Sequence, residues 1–272
     1  MELIDKIIYR YLARKKYPNI AVFVDDCVGL NVIAHEVYEK KELDLILKSI
    51  NEDTLENTLI DVGANIGNHS LYFSKFFKKI IAFEPQKTLF EILKINSNSK
   101  NIDIYNFGLS NKDGKNYIYY NLNNRGGGSV ETKNLDLESE QINLKVFDKL
   151  FNNQDFSFVK IDVEGHELSV LQGMKKSIEK NRPIIAFEGK FEFKDSIIIF
   201  LERNGYSKFL VPSNYWIDNV ITSNKLFLVG LRYLIRKISF CYTYKLVNLD
   251  RSLKKDYNLI LAINEKSKFK LK

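Results

Sequence analysis

One short run carries most of the residues that could do chemistry, Lys160-Ile-Asp-Val-Glu-Gly-His-Glu167. It continues a hydrophobic stretch typical of a central parallel strand, where alternation places Phe158, Lys160 and Asp162 on one side. Such strands are buried on both faces, so the lysine ammonium needs an opposite charge beside it. Together with the acid that ends a later apolar run, four carboxylates are predicted to gather at one place: Asp162, Glu164, Glu167 and Glu188.

These carboxylates could form an ion-pair network that fixes strand ends, or they could form a ligand site. We favour the ligand site, because open parallel sheets bind ligands at the carboxyl ends of their strands and perturbed titratable groups cluster at functional sites. Gly165 marks a sharp exit from the strand into the next helix. Converging oxygen atoms could also hold a divalent cation, but the run lacks a tight Asp/His ligand spacing, so no metal is expected.

The elements that must position this cluster begin with Thr58-Leu-Ile-Asp-Val-Gly-Ala-Asn-Ile-Gly67, which indicates a strand, a glycine turn and the start of a helix. Gly63 can take a positive φ and lets a ligand approach the backbone, and the helix presents unpaired N–H groups. The spacing is G-x-x-x-G, which differs from dinucleotide sites and disfavours an NAD dehydrogenase. Glu84 ends the next apolar run, where an acid can accept hydrogen bonds from the hydroxyls of a ribose.

Around these motifs, strands and helices alternate along the chain. Strands are predicted at 59–62, 80–84, 102–108, 156–162, 184–188, 206–211 and 258–263, with helices at 67–77, 88–97, 167–179 and 197–204. This alternation predicts an α/β fold with a doubly wound, mainly parallel sheet. Four units are expected: a helical and strand cover at 1–54, with strands at 20–34; a core at 55–212 plus 258–265; an insertion at 213–257; and a basic tail at 266–272.

Composition and net charge indicate the compartment and the kind of partner to expect. The chain has 272 residues, a net charge of +7 and two distant cysteines, which form no disulfide framework and indicate a reducing, cytoplasmic compartment. The charge favours an anionic partner such as a phosphorylated glycan, nucleic acid or an acidic membrane, although a solvated basic surface is the preferred interpretation. Residues 224–240 interleave apolar and basic positions, so a helix there could contact a membrane surface, but packing on its own domain is favoured.

Four motifs together resemble the FkbM family of methyltransferases: Ile60-Asp-Val-Gly-Ala-Asn-Ile-Gly67, Ala82-Phe-Glu-Pro85, Gly108-Leu-Ser110 and Lys160-Ile-Asp-Val-Glu-Gly-His-Glu167. The resemblance covers residues 55–190. The first motif is shared by many S-adenosylmethionine enzymes, whereas the last run is much more specific to this family. The resemblance implies a class I, Rossmann-like methyltransferase sheet of seven strands, in the order 3-2-1-4-5-7-6 with strand seven antiparallel.

The resemblance also implies roles for single residues. The methionine end of S-adenosylmethionine would be cradled by Asp61, Gly63, Ala64, Asn65 and Gly67. Its ribose would be held by Glu84, next to Pro85, and its adenine would be lined by Gly108, Leu109 and Ser110. Because a sugar hydroxyl is a poor nucleophile at neutral pH, a general base is expected. Asp162 is the first choice and Glu164, His166 and Glu188 are alternatives, with Lys160 orienting the carboxylates or binding a substrate phosphate.

We therefore expect an O-methyltransferase acting on a sugar of a surface glycan, of the capsule or lipopolysaccharide type, or on its phosphorylated or lipid-linked precursor. An RNA or other small-molecule methyltransferase is the alternative enzyme, but no aromatic-rich basic RNA module is visible and no nucleic acid is expected. An inactive nucleotide-binding scaffold is disfavoured by the intact carboxylates.

The glycine-rich segment 123–130 could be a mobile flap over the acceptor, with Arg125 reaching an anionic group. A plain flexible connection between strands is equally supported. The segment therefore stays open between these two interpretations.

Overall fold

The computed structural model describes residues 19–98, 101–122, 124–131, 136–213, 245–253 and 255–272. The predicted amphipathic helix at 224–240 and the start of the N-terminal cover lie outside these residues. In the described part of the chain, no helix is both long enough and apolar enough to cross a membrane.

The helices and strands of the described residues follow the predicted alternation. The helices are α1 (Cys27–His35), α2 (Lys40–Ser49), α3 (Glu52–Leu55), α4 (Asn68–Phe73), α5 (Lys87–Asn96), α6 (Phe147–Leu150), α7 (Glu167–Gly173), α8 (Lys175–Asn181) and α9 (Phe191–Arg203). The strands are β1 (Thr58–Val62), β2 (Lys79–Phe83), β3 (Ile102–Tyr105), β4 (Gly108–Leu109), β5 (Gly114–Asn121), β6 (Asn124–Ser129), β7 (Glu138–Lys145), β8 (Phe158–Ile161), β9 (Ile184–Gly189), β10 (Tyr206–Ser213), β11 (Lys245–Asn248) and β12 (Tyr257–Asn264).

Among the described residues, eight strands form the main sheet in the order β3-β2-β1-β8-β9-β12-β10-β11. The five strands from β3 to β9 are parallel, and β12 runs antiparallel to both of its neighbours. This confirms the predicted seven-strand order and the antiparallel last strand. The eighth strand, β11, extends the edge and comes from the stretch predicted as an insertion, so the end of that stretch belongs to the sheet.

The central strands are apolar because the sheet is covered on both faces. Ile60 and Val62 of β1 face one cluster, which α6 to α9 complete, whereas Leu59 faces the other, which α2, α4 and α5 complete. By alternation, Asp61 shares the face of Leu59, and Lys160 shares the face of Phe158 in the same cluster. The polar side chains of the central strands therefore point towards the α2 side of the sheet.

A second sheet in the described chain has the order β4-β7-β5-β6. Its strands β5 and β7 pair antiparallel. The sequence leaves two interpretations of the glycine-rich segment, a mobile flap and a flexible connection. In the structure it forms a hydrogen-bonded strand, β6. Gly108, predicted as the end of the third strand, instead joins this second sheet together with Leu109 as β4.

Local interactions explain the other differences from the predicted elements. Residues 20–34 were predicted as strands, but Asp26 caps the N–H groups of Val28 and Gly29 and starts helix α1. The predicted helix at 167–179 is broken into α7 and α8 at Met174. Short apolar runs do not separate helix from strand by periodicity alone.

The predicted basic tail, 266–272, packs against the body of the protein. Phe269 is buried, and Leu271 forms a β-bridge with Ile50 at the end of α2. The Lys272 N–H donates to the Ser49 carbonyl at 2.7 Å. This segment therefore fixes the C-terminal end of α2.

Candidate active site

Lys160 is the charged centre of the site because strand register places it beside Asp61. Its Nζ lies 3.4 Å from Asp61 Oδ1 and 3.3 Å from Asp162 Oδ2. Ser70 Oγ donates to the other Asp61 oxygen at 2.6 Å. Burial by itself would lower the pKa of Lys160, but the carboxylates of Asp61, Asp162 and Glu39 outweigh it and raise that pKa. The ammonium is therefore charged, and the predicted lysine–carboxylate pairing is present.

Three of the four predicted carboxylates meet at the ends of β8 and β9. Ligand oxygens of Asp162, Glu164 and Glu188 lie within 4.8 Å of one another. Burial would raise the pKa of Asp162, but Lys160 and other cations lower it overall, so this carboxyl is ionised. Burial and the charges of Glu164 and Asp162 raise the pKa of Glu188 to about 8. At neutral pH the cluster therefore holds an ionised Asp162 beside a largely protonated Glu188.

Lys190 forms an ion pair with Glu164. This contact gives Glu164 a cation of its own, whereas Glu188 Oε2 has no hydrogen-bond partner among the described residues. The three carboxyls are therefore not equivalent. Asp162 and Glu164 are compensated, and Glu188 is the one with an unused oxygen.

Glu167 does not join this cluster, which corrects that prediction, and His166, an alternative for the base, also lies outside it. Glu164 and Gly165 take left-handed φ angles of 53° and 101°, which end the strand alternation. Glu167 is buried, and its carboxylate accepts the Gly165 N–H at 3.0 Å. His166 contacts Glu131 through Nδ1 and Ser110 Oγ through Nε2, at 3.0 Å. Both ring nitrogens are turned to these two residues and His166 does not line the first cavity, so it is not placed to take a proton from an acceptor there.

Two cavities adjoin at the carboxyl ends of the central strands. The first, of about 250 Å³, contains the cluster and is walled by α2 and α4; the second, of about 80 Å³, lies beside Glu84 and β4. Both cavities are lined by Gly63, Asn65, Gly126 and Asp162. They therefore form two halves of one site, with Asp162 at the junction.

The glycine turn after β1 forms the floor of this junction. Gly63 has φ +81°, and a Cβ there would collide with the Asp162 carbonyl oxygen, so only glycine lets β1 and β8 approach this closely. Asn65 also has a positive φ, and its side chain accepts the Ile66 N–H at 2.7 Å. Asp61 lies behind the turn, fully buried, and does not line either cavity.

Glu84 connects the first two loops. Its carboxylate accepts the N–H of Asn65 at 2.9 Å and of Gln86 at 2.8 Å. Burial raises the pKa of Glu84 to about 7, although these two hydrogen bonds oppose the shift. Each oxygen accepts one backbone hydrogen bond and keeps a second acceptor position. The side chain can therefore hold the loops and still receive hydroxyl donors from the second cavity.

Strand β6 forms a roof over the junction. A Cβ at Gly126 would collide with the Asn65 side chain, and the Arg125 carbonyl accepts Gln86 Nε2 at 3.0 Å. Ser129 Oγ donates to the Glu164 carbonyl at 2.8 Å. The glycines thus allow one strand to contact three loops of the site.

Arg125 does not reach towards an acceptor in this structure. Its guanidinium pairs with Asp25 at 3.0 Å and lies 4.5 Å above the Phe23 ring. The Arg125 N–H donates to Asp26, which also caps α1. The arginine therefore joins the roof to the cover, and the prediction that it binds an anionic group is not supported by these contacts.

Sequence reasoning missed the wall that the cover supplies. Tyr38, Glu39 and Glu42 line the first cavity together with His69. His69 is 7% exposed, and burial and the nearby Lys160 lower its pKa to about 4, so the ring is neutral. No motif marks these residues, because they reach the site only through the packing of α2 and α4.

Residues 61–208 match the methyltransferase FkbM domain family. The chain belongs to the FkbM family of methyltransferases. This match confirms the family that the sequence motifs resemble.

Individual relatives share limited sequence identity with this FkbM-family protein. It is 30% identical over 161 residues to the hexuronic acid methyltransferase AglP of Haloferax volcanii, a match that covers 57% of this chain. The matched part spans 65% of AglP, which is less than two thirds of that protein.

Two solved structures are similar to this FkbM-family protein in fold. The methyltransferase FkbM from Methylobacillus flagellatus is 17% identical, with a TM-score of 0.41 over 78% of this chain and 56% of that one. SMU.1697c from Streptococcus mutans, determined in complex with SAH, is 11% identical, with a TM-score of 0.41 over 84% of this chain and 99% of that one. The strand order of this chain, rather than these overlaps, identifies its class I methyltransferase fold.

Proposed function

We propose that this FkbM-family protein methylates a hydroxyl group of a sugar in a glycan or a glycan precursor. The observation that carries the proposal is the position of Asp162, an ionised carboxylate that lines both cavities. It lies where a cofactor in the second cavity and an acceptor in the first would meet. The similarity to a protein named as a hexuronic acid methyltransferase supports a sugar as the acceptor.

The residues around the second cavity fit the adenosine part of S-adenosylmethionine. Glu84 offers two acceptor positions for the ribose hydroxyls, which is the role the sequence predicts for it. Pro85, Gly108 and Leu109 line the same cavity, and Ile118 of the second sheet closes it with an apolar surface for the adenine. Ser110 acts indirectly in this proposal, because its hydroxyl is bonded to His166.

The methionine part fits the glycine turn at the junction. Gly63, Ala64 and Asn65 line the first cavity at this turn, and no side chain from Gly63 obstructs the backbone. Gly67, with φ +90°, starts helix α4. Asp61 contributes from behind, because it holds Lys160 and Ser70 in place. When bound, S-adenosylmethionine supplies a methyl group activated by its sulfonium.

The chain itself supplies the proton acceptor and its orientation. Asp162 takes the proton from the acceptor hydroxyl as the oxygen gains the methyl group. Lys160 keeps Asp162 ionised and fixes one of its oxygens. Glu188 is protonated at neutral pH, so it can donate a hydrogen bond to the acceptor rather than remove a proton.

Two measurements test this proposal. Calorimetric titration should show binding of S-adenosylhomocysteine but not of NAD. Transfer of a radiolabelled methyl group to a panel of methyl glycosides should fall about 10²- to 10⁴-fold in Asp162→Asn, which removes the base. The affinity of this variant for S-adenosylhomocysteine should stay within about threefold, since a threefold change is below 1 kcal/mol.

Glu131→Gln is the matched control. Glu131 contacts His166 rather than the carboxylate cluster, so its replacement should leave much more of the transfer rate than Asp162→Asn does. A folded wild-type protein that binds no S-adenosylhomocysteine would refute the proposed function. Equal transfer rates for wild type and Asp162→Asn would refute the assignment of the base.

A further inference from the structure

The first cavity is rich in acidic groups. Among the described residues, its walls present five carboxyl groups and one ammonium, that of Lys160. This ammonium is shared with Asp61, a sixth carboxylate, which is buried behind it. The acidic residues of the cavity are Glu39, Glu42, Asp162, Glu164 and Glu188.

Two of these acids come from the cover rather than from the cofactor motifs. Glu39 and Glu42 precede residues 61–208, the part matched by the family, and they reach the cavity on α2. Within the described residues, neither forms an ion pair with a lysine or an arginine, in contrast to Glu164 with Lys190. Burial and the Asp162 charge raise the pKa of Glu39 to about 7, and burial also raises the pKa of Glu42. Both carboxyls thus lack a direct ion pair with a lysine or an arginine, although Lys160 attracts Glu39 and Lys41 attracts Glu42 from beyond ion-pair distance.

One nitrogen of a buried ring beside them also lacks a hydrogen bond among the described residues. His69 Nε2 has no hydrogen bond among the described residues and lies 3.4 Å from Glu39 Oε2. His69 lines the same cavity. Buried polar atoms without partners are uncommon in folded proteins, so an unpaired nitrogen beside two acids without a direct ion pair indicates a ligand that brings donors.

We infer that the acceptor is a sugar that carries a free, protonated amino group, which Glu39 and Glu42 recognise. The inference rests on the methyl transfer proposed above and names the chemical class of its acceptor. An ammonium donates charge-assisted hydrogen bonds to carboxylates, which are about twice as strong as neutral ones. A hexuronate or a phosphorylated sugar would instead place an anion among five carboxyls, and a neutral sugar would leave the cover acids without a direct ion pair. The acceptor is therefore opposite in charge to the phosphorylated one expected from the sequence.

Binding to the S-adenosylhomocysteine complex tests this directly. The probes are methyl glycosides of 2-amino- and 4-amino-hexoses, their N-acetylated counterparts and a hexuronate. They are titrated by NMR at about pH 7.4, where Glu39 is mainly ionised and amines with a pKa of about 7.7–8.0 are mainly protonated. An amino glycoside should bind at least about tenfold more tightly than its N-acetylated counterpart, and the hexuronate should bind most weakly. The double variant Glu39→Gln/Glu42→Gln should lose this preference.

Controls separate the inference from the function. The double variant should bind S-adenosylhomocysteine within about twofold of wild type, which shows that the cofactor half is folded. Glu91→Gln, on the exposed face of α5, should keep the amine preference. The inference is overturned if the amino glycosides bind no more tightly than their N-acetylated counterparts, do not bind, or bind only with added magnesium. None of these outcomes contradicts the proposed methyl transfer. Failure to bind S-adenosylhomocysteine instead refutes the proposed function and the inference with it.

Discussion

The buried ammonium of Lys160 allows a stability prediction whose size follows from the geometry. At 3.4 Å and an effective dielectric constant of about 20, the attraction between Lys160 and Asp61 is about 5 kcal/mol. Lys160→Met keeps a side chain as long as the aliphatic part of the lysine but leaves the fully buried Asp61 without its cation. Removing one partner of a buried ion pair costs about 3–5 kcal/mol of the free energy of unfolding, and we expect a loss in this range.

A matched pair on the neighbouring strands isolates the contribution of burial. Lys79 and Asp103 join β2 to β3 at 2.8 Å, closer than Lys160 and Asp61, but their side chains are 41% and 44% exposed. Exposed pairs contribute about 1 kcal/mol or less, so Lys79→Met should have little effect. The Lys79–Asp103 pair should therefore show the smaller loss in the free energy of unfolding despite its shorter distance, because water screens its charges.

Urea unfolding followed by circular dichroism measures both variants, with the m-value checked for a common unfolding transition. The pKa of Lys160 is raised in the folded state, so its contribution is complete below the unfolded pKa of about 10.4. The loss in Lys160→Met should therefore be the same at about pH 6 and pH 8. Equal, small losses for Lys160→Met and Lys79→Met would refute the argument that this ammonium is a desolvated partner of Asp61.

Three further predictions concern the carboxylates and the roof. The pKa of Glu188 is about 8, so the folded state binds more protons than the unfolded state between pH 4.5 and about 8. The free energy of unfolding should therefore fall with rising pH in that window. Glu188→Gln should make this fall smaller when it is measured by urea unfolding. If Asp162 is the base, the pH–rate profile should show no rise near pH 8; a rise there that Glu188→Gln abolishes would identify Glu188 instead. Gly126→Ala should displace Asn65 and weaken S-adenosylhomocysteine binding about tenfold by calorimetry, whereas Gly114→Ala, whose Cβ meets open space, should not; equal affinities would contradict the contact.

The main sheet could be predicted because its order is encoded in local patterns. Apolar runs ending in Asp61, Glu84 and Asp162 marked three parallel strands, and the lysine in the third required the ion pairs that the structure contains. The burial of a charge inside a strand is a strong restriction on its partners. That Lys160 pairs with nearby carboxylates could therefore be predicted from the sequence, whereas Asp61 as one of these partners follows only from the strand register.

The wall and the roof could not be predicted, because their positions depend on packing between distant segments. Glu39 reaches the cavity through a corner where it takes a left-handed φ of 56°, a conformation that no sequence pattern indicates. The glycines of β6 suggest flexibility when read alone. They prove to be close-approach positions only once Asn65 and Gln86 lie next to them.

The docking of residues 266–272 on α2 has a consequence for the order in which the protein assembles. The strands that hold the cofactor half lie between Thr58 and Gly189, whereas α2 is fixed at its end by Leu271 and Lys272. Contacts so distant along the chain close the largest loops and form late in folding. A chain still emerging from the ribosome can thus complete its cofactor half before the helix that carries Glu39 and Glu42 is secured. Recognition of the acceptor would be the last property that the folding protein acquires.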